Sequence, residues 1–320
     1  MSRIILRKAK EIFDKTPLNK ILLKRKLIET KYFMPSEYIV ETTNFCNLQC
    51  RLCDNPRLKR KKENMSFETF LEIFYLIKSS AKSIDFDLGG EPLINPDTLK
   101  MVKVAAKEGI KTSLATNAHF LNKENINEIF DSGLSNIFLS FGGMTKETYN
   151  FYHAGGDFEK AKENITALCN EKKRRGATSP KIELSFLVTR KSEPEIPLIK
   201  KFAKEIGVDV LLLKSLHHAW VEDKEDIFTP KNKRFIRKPT TIPCAWSQKM
   251  VIYVNGDVGI CCYDQHGKNV YGNILKEKQA VWFRNYKIRE RIFNRQYEMC
   301  KNCSQGANIG QRINLRKKDG

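Results

Sequence analysis

Cys46, Cys50 and Cys53 fall within the eight residues CNLQCRLC. Thiolates so close together hold zinc or an iron–sulfur cluster. A structural zinc site needs four ligands, and the nearest histidine able to complete one is His119. Three thiolates on one short loop also suit a 4Fe–4S cluster with one iron left open. An open iron can bind a cofactor or substrate directly and pass it an electron.

A second group follows: Cys244, the adjacent pair Cys261 and Cys262, then Cys300 and Cys303 in CKNC. Read alone, four thiolates at these spacings suit zinc and iron–sulfur equally. Cys169, in FEKAKENITALCN, reads as a small core residue. Nine cysteines in a chain expected to be cytoplasmic argue for metal or redox chemistry over disulfides. That location is the reading of MSRIILRKAKEIF, whose charges break its apolar positions and which lacks a small-residue cleavage site. No run of eighteen apolar residues predicts a membrane span.

The elements that must carry these cysteines alternate. EYIVETTN, SIDFDLGG, KTSLATN, NIFLSFGG, KIELSFLVTR and VDVLLLKSL predict six strands. Between them SFETFLEIFYLIKSS, PDTLKMVKVAAKEG, NKENINEIFDSG, FEKAKENITALCNEKKRR and EPEIPLIKKFAKEIG predict helices, several stopped by Gly109, Gly133 and Gly207. Six βα units in series imply an α/β fold, a parallel sheet with helices outside. Chemistry in such folds sits after the C-terminal ends of the strands, where the cysteine triplet falls.

CNLQCRLC resembles the C-x3-C-x2-C loop of the radical S-adenosylmethionine superfamily, and further matches follow in order. LGGEP, with Gly89, Gly90 and Glu91, ends the second strand, where the family contacts the methionine amino group. ATNA, with Asn117, ends the third strand, and SFGG, with Ser140, ends the fourth, positions used around the ribose. The resemblance covers roughly residues 37–216. It implies a partial (β/α)6 TIM-like barrel, a closed ring of strands lined by apolar side chains. It also implies a 4Fe–4S cluster on Cys46, Cys50 and Cys53 whose open iron is chelated by S-adenosylmethionine. Reductive cleavage of that cofactor would give a 5′-deoxyadenosyl radical that abstracts hydrogen. Two departures stand out: Gly142 lies where relatives carry the Asp of S-x-D-G, and Leu52 lies where they often carry an aromatic residue.

Cys244, Gly256, Cys261 and CKNC resemble a SPASM-type extension, which implies one auxiliary 4Fe–4S cluster on Cys244, Cys261, Cys300 and Cys303. MVIYVNGDVGICCYD reads as a hairpin turning at Asn255–Gly256 with positive φ angles, and QAVWFRNYKIRERIF as a helix. Cys262 is the alternative ligand to Cys261; the Gly-x4-Cys spacing and strand alternation favour Cys261 facing inward and Cys262 facing away. The expected organisation is a basic helical segment over 1–36, the barrel over 37–230, and a small cysteine-rich hairpin and helix extension over 231–320.

Asp264, three residues past Cys261, is a candidate catalytic proton acceptor and equally a turn residue capping the hairpin. His217 and His218 follow the sixth strand and are candidates to face the cavity. Tyr152 and His153 lie where relatives often carry an arginine.

The net charge of +20 is uneven. Residues 1–39 carry 10 Lys/Arg against 4 Asp/Glu, and residues 231–320 carry 19 against 6. Solvated surface lysines explain this as readily as an anionic partner does. With the basic loop RLKRKK (57–62), the charge suggests an anionic small-molecule or peptide substrate. It also suits an acidic electron donor such as reduced ferredoxin or flavodoxin. Nucleic acid is not expected, since no recognition module accompanies the charge. The amphipathic first 30 residues are expected to pack outside the barrel, with peripheral contact to an anionic membrane as the alternative. The segment before the first strand is too short for the dedicated domain of peptide-modifying relatives. The expected reaction is hydrogen abstraction leading to a net oxidation. The alternatives are a redox-neutral epimerisation or bond formation on a peptide or sugar, and a non-catalytic, metal-stabilised basic binding protein.

Overall fold

The computed structural model describes residues 35–215, 227–305 and 310–315. The amphipathic first 30 residues, His217 and His218 lie outside the described residues.

All six expected strands form: β1 (Glu37–Val40), β2 (Ser83–Asp85), β3 (Lys111–Thr116), β4 (Asn136–Phe141), β5 (Lys181–Val188) and β6 (Val210–Ser215). They pair in parallel in chain order. The helices between them are α1 (Phe67–Ile77), α2 (Thr98–Lys107), α3 (Lys123–Asp131), α4 (Lys146–Tyr152), α5 (Phe158–Arg174) and α6 (Ile196–Ile206). Ser66, Asn122, Thr145 and Asp157 each cap one by accepting the N–H three residues on. Helix α4 was not expected. Its seven residues are too few to show a period, and the Thr145 cap starts it.

Alternation assigns the two faces of the sheet. Ile84, Phe86, Leu114, Ile137, Leu139, Leu184, Leu211 and Leu213 join the helices in the main core. Asp85, Asp87, Ser140, Ser185 and Lys214 alternate with them and belong to the other, inner face.

The closed ring expected above is instead an open ten-stranded sheet. β7 (Lys249–Ile252) adds in parallel to β1, followed by antiparallel β8 (Asp257–Gly259) and β9 (Val270–Asn273). At the far edge β10 (Gly310–Asn314) pairs antiparallel with β6. Both edges of the parallel sheet thus find another partner, which leaves them no free hydrogen-bonding row for each other. The cysteine-rich extension continues the sheet, then adds α7 (Lys278–Phe293) and α8 (Glu298–Lys301). Nor is the lining wholly apolar, as the charges on the inner face show.

The hairpin turns as expected but by another geometry. Only Gly256 takes a left-handed φ, +82°. Its N–H bonds Tyr253 O at 2.9 Å while Tyr253 N–H bonds Asp257 O, which is a turn closed by a left-handed glycine bulge. No helix among the described residues is long and apolar enough to cross a membrane.

Candidate active site

The cysteine loop leaves the C-terminal end of β1 and is held from several sides. Asn44 Oδ1 accepts Glu63 N–H at 2.7 Å, and Asn44 O accepts Lys62 Nζ and Asn55 Nδ2. Asn55 Nδ2 also donates to Gly89 O, and Glu91 N–H bonds Phe45 O at 2.8 Å. The glycine-rich end of β2 therefore lies directly on the loop. A Cβ at Gly90 would sit 2.4 Å from Thr43 O and 2.6 Å from Phe45 O, so only glycine permits the approach.

The three thiols are half-buried. Burial pushes Cys46 up to about 11 and raises Cys50 and Cys53 as well, with neighbouring sulfurs adding to the rise at Cys50. Thiols that resist ionisation beside one another need a cationic centre to become thiolates together, so this donor set fits an iron–sulfur cluster. The zinc alternative fits less well. Among the described residues no three His, Cys, Asp or Glu side chains converge on a single ion. His119 Nε2 accepts Asp157 N–H at 2.8 Å, so Nδ1 carries the hydrogen and donates to Asn117 O and Oδ1. Neither ring nitrogen is left to close a zinc site.

Asn117 lies beside the triplet, with Nδ2 4.0 Å from Cys46 Sγ and 2.8 Å from Asn47 Oδ1. The next residue, Ala118, has a left-handed φ of +69°, and Asn164 holds its carbonyl. This strained turn re-aims the chain where β3 ends. Glu91 is buried and binds protein donors: Oε1 accepts Thr116 Oγ1–H at 2.7 Å and Oε2 accepts Asn117 N–H at 2.7 Å. Burial still lifts its carboxyl to about 7. Gly89, Gly90, Glu91 and Asn117 thus gather around the cysteine loop, while Ser140 lies further along the inner face, level with Ser185 of β5.

Cys244, Cys261, Cys300 and Cys303 line one small cavity, partly open to solvent, with Trp246, Ile260, Tyr263, Ile292 and Met299 among its walls. Cys262 is not in it. It packs with Ile39, Val251 and Tyr253 on the inner face of the sheet. Burial raises Cys244 to about 11 and also raises Cys300, so here too the donor set fits a cluster that supplies positive charge. Asp264 is buried, and its carboxylate accepts N–H bonds from Lys268 N at 3.0 Å, Asn269 N at 2.7 Å and Asn269 Nδ2 at 3.1 Å. That is the geometry of a loop cap.

Three further features bear on the site. Asp87, half-buried on the inner face, is pushed up to about 7 by burial and by Asp85, against the pull of Lys249 and Lys214. Lys249 Nζ binds Asp85 Oδ2 at 2.6 Å and sits 4.7 Å over the Trp246 ring. Trp246 packs against both the inner-face cluster and the cluster that includes Cys244. The alternating motif SIDFD marks the Asp positions, but not the lysines that meet them.

Residues 40–179 match the family model of the radical SAM superfamily, and residues 244–304 match the SPASM iron–sulfur cluster-binding domain. The chain is a radical SAM protein with a SPASM domain. Its cofactors are 4Fe–4S clusters and S-adenosylmethionine. This radical SAM protein is 31% identical over 246 residues to a PqqA peptide cyclase of Rhizobium meliloti, covering 74% of this chain and 62% of that one. It is 26% identical over 194 residues to the tungsten-containing aldehyde ferredoxin oxidoreductase cofactor-modifying protein of Pyrococcus furiosus, covering 59% of this chain and 53% of that one. The match thus spans little more than half the length of these relatives. Streptococcus suis SuiB bound to S-adenosylmethionine shares the fold with a TM-score of 0.62 at 17% identity, over 90% of this chain and 77% of that one. BtrN in complex with AdoMet and 2-DOIA does so with a TM-score of 0.57 at 17% identity, over 87% and 97%.

Proposed function

We propose that this radical SAM protein oxidises a substrate held against the inner face of its sheet. The observation that carries the reading is Trp246, which packs on both the inner face and the four-cysteine cavity. In this reading Cys46, Cys50 and Cys53 hold the cluster that binds S-adenosylmethionine, with Asn117, Gly89, Gly90, Glu91 and Ser140 around the cofactor. When bound, that pair supplies a primary carbon radical able to take hydrogen from an unactivated C–H bond. Cys244, Cys261, Cys300 and Cys303 hold the auxiliary cluster. When bound, the auxiliary cluster would supply an electron acceptor, with Trp246 lying between the cysteines that would hold it and the inner face, and Asp87 is placed to take a proton from the substrate. Asp87 suits the last role better than Asp264, because Asp264 is spent on three bonds within its own loop.

A peptide is the substrate class supported by the names of the PqqA peptide cyclases and by SuiB bound to its precursor peptide. The same cyclase names favour a second outcome, bond formation in place of dehydrogenation. The basic loop offers an anionic substrate less than its composition suggests. Arg60 is paired with buried Glu41, and Lys62 Nζ donates to Asn44 O, Asn55 O and Asn55 Oδ1. Reduced ferredoxin or flavodoxin is the proposed electron donor.

The test is anaerobic reconstitution of a variant with Cys46, Cys50 and Cys53 replaced by alanine. It should fold, keep about half the wild-type iron, and form no 5′-deoxyadenosine under dithionite. Cleavage retained in that variant removes the assignment.

A further inference from the structure

The ring of His153 fills the space that a side chain at Gly142 would need. A Cβ on Gly142 would stand 2.9 Å from His153 Cδ2 and 3.0 Å from Nε2. The ring is 3% exposed and lies on Tyr149 with centroids 4.7 Å apart. Its Nδ1 reaches Cys50 Sγ at 3.4 Å. This approach is fixed by the backbone on both sides of each residue. Gln49 N–H bonds Ala154 O at 2.8 Å, and Arg51 N–H bonds Tyr152 O at 3.1 Å. The neighbours of Cys50 are therefore strapped to the neighbours of His153.

We propose that His153 donates its Nδ1–H to the Cys50 thiolate and so raises the reduction potential of the cluster held there, in space opened by the absent side chain at Gly142. The inference rests on the assignment of Cys50 as a cluster ligand. A thiolate only accepts, so the bond requires the Nδ1–H tautomer, with Nε2 turned toward Gly142. Reduction adds negative charge to the cluster and its sulfurs. A donor aimed at one sulfur stabilises the reduced state more than the oxidised one, and the potential rises. His153 is thus a positioning and tuning residue for the cluster.

An electron paramagnetic resonance redox titration of the reconstituted protein tests this. The signal altered by adding S-adenosylmethionine reports the first cluster. His153→Leu should lower its ratio of reduced to oxidised form about tenfold at a fixed potential, equivalent to about 59 mV for a one-electron couple. His153→Asn, whose amide nitrogen lies at the same branch position as Nδ1, should recover most of the shift. Gly142→Ala should displace the ring and lower the ratio with His153 still present. An unchanged midpoint in His153→Leu overturns the proposal, and so does an equal shift for Leu and Asn, which would mark a packing role. If the Leu variant takes up no cluster, an unchanged midpoint in Gly142→Ala overturns it instead. Cys50→Ala keeps the two levels apart: a cofactor-sensitive signal surviving there fails the ligand assignment itself, and this inference with it.

Discussion

Arg60 grips Glu41 with two nitrogens, Nη1 2.8 Å from Oε2 and Nη2 2.6 Å from Oε1. Glu41 is wholly buried just past β1, where the cysteine loop begins. The same guanidinium lies 4.3 Å over the Tyr253 ring and donates Nε–H to Gln265 O at 2.7 Å. One side chain therefore ties β1 and the cysteine loop to the hairpin beyond. Arg60→Ala should leave a buried, unpaired carboxylate and cost about 3–5 kcal/mol. Urea unfolding of the apoprotein measures this. The double variant Arg60→Ala with Glu41→Gln should recover part of the loss, and equal losses would deny the pair its role.

Glu91 predicts a pH signature. Its carboxyl sits at about 7 in the folded chain, above the usual 4.3 of a free glutamate. Below about pH 4 the acid is protonated in both states and costs nothing. As pH rises to about 7 the unfolded chain ionises and the folded chain does not, so stability falls by up to about 4 kcal/mol. Glu91→Gln should therefore gain on the wild type between about pH 4.5 and about pH 7.5, whatever its stability at the lower end. Parallel unfolding curves at several pH values would deny the raised carboxyl.

For Asp87 the sign runs through catalysis. A proton acceptor must be ionised, and this carboxyl sits at about 7. Product formation should rise with pH through about 7 and level above it. Asp87→Asn should cut product at least tenfold, on the order expected for a lost general base, while 5′-deoxyadenosine still forms. Product and cofactor cleavage falling together would place Asp87 in cofactor binding instead.

The auxiliary site predicts a similar separation. Replacing Cys300 and Cys303 with alanine should spare cleavage of S-adenosylmethionine and stop product. Trp246→Leu should slow product without lowering iron content, because it removes the aromatic ring between the two clusters of packed residues. Normal turnover in the double cysteine variant would reduce the auxiliary site to a structural clamp.

The order of strands and helices was legible because each element writes its period into a few adjacent residues. The glycine stops were legible for the same reason, and Gly109, Gly133 and Gly207 all take left-handed φ angles. Cys261 and Cys262 follow the end of β8, where the chain turns, so strand alternation does not decide their placement. Cys261 lines the four-cysteine cavity while Cys262 packs against Ile39, Val251 and Tyr253. Asp264 was harder. Its carboxylate is consumed by the N–H groups of Lys268 and Asn269, and whether a loop closes on its own acid depends on backbone angles that composition does not specify.

By itself, the sequence determined the α/β class, the two cysteine groups and the resemblance to radical SAM enzymes. Ligand spacing and hydrophobic period are local, and local patterns survive without knowledge of the fold. Only the tertiary structure decided that the sheet stays open, that its inner face carries Asp87 beside Lys214 and Lys249, and that Arg60 is bonded internally. It alone brought Gly142, His153 and Cys50 together from separate segments. Each of these depends on which distant strand or loop pairs with which. That choice is made by burial and edge satisfaction over the whole chain, and no short stretch of residues records it.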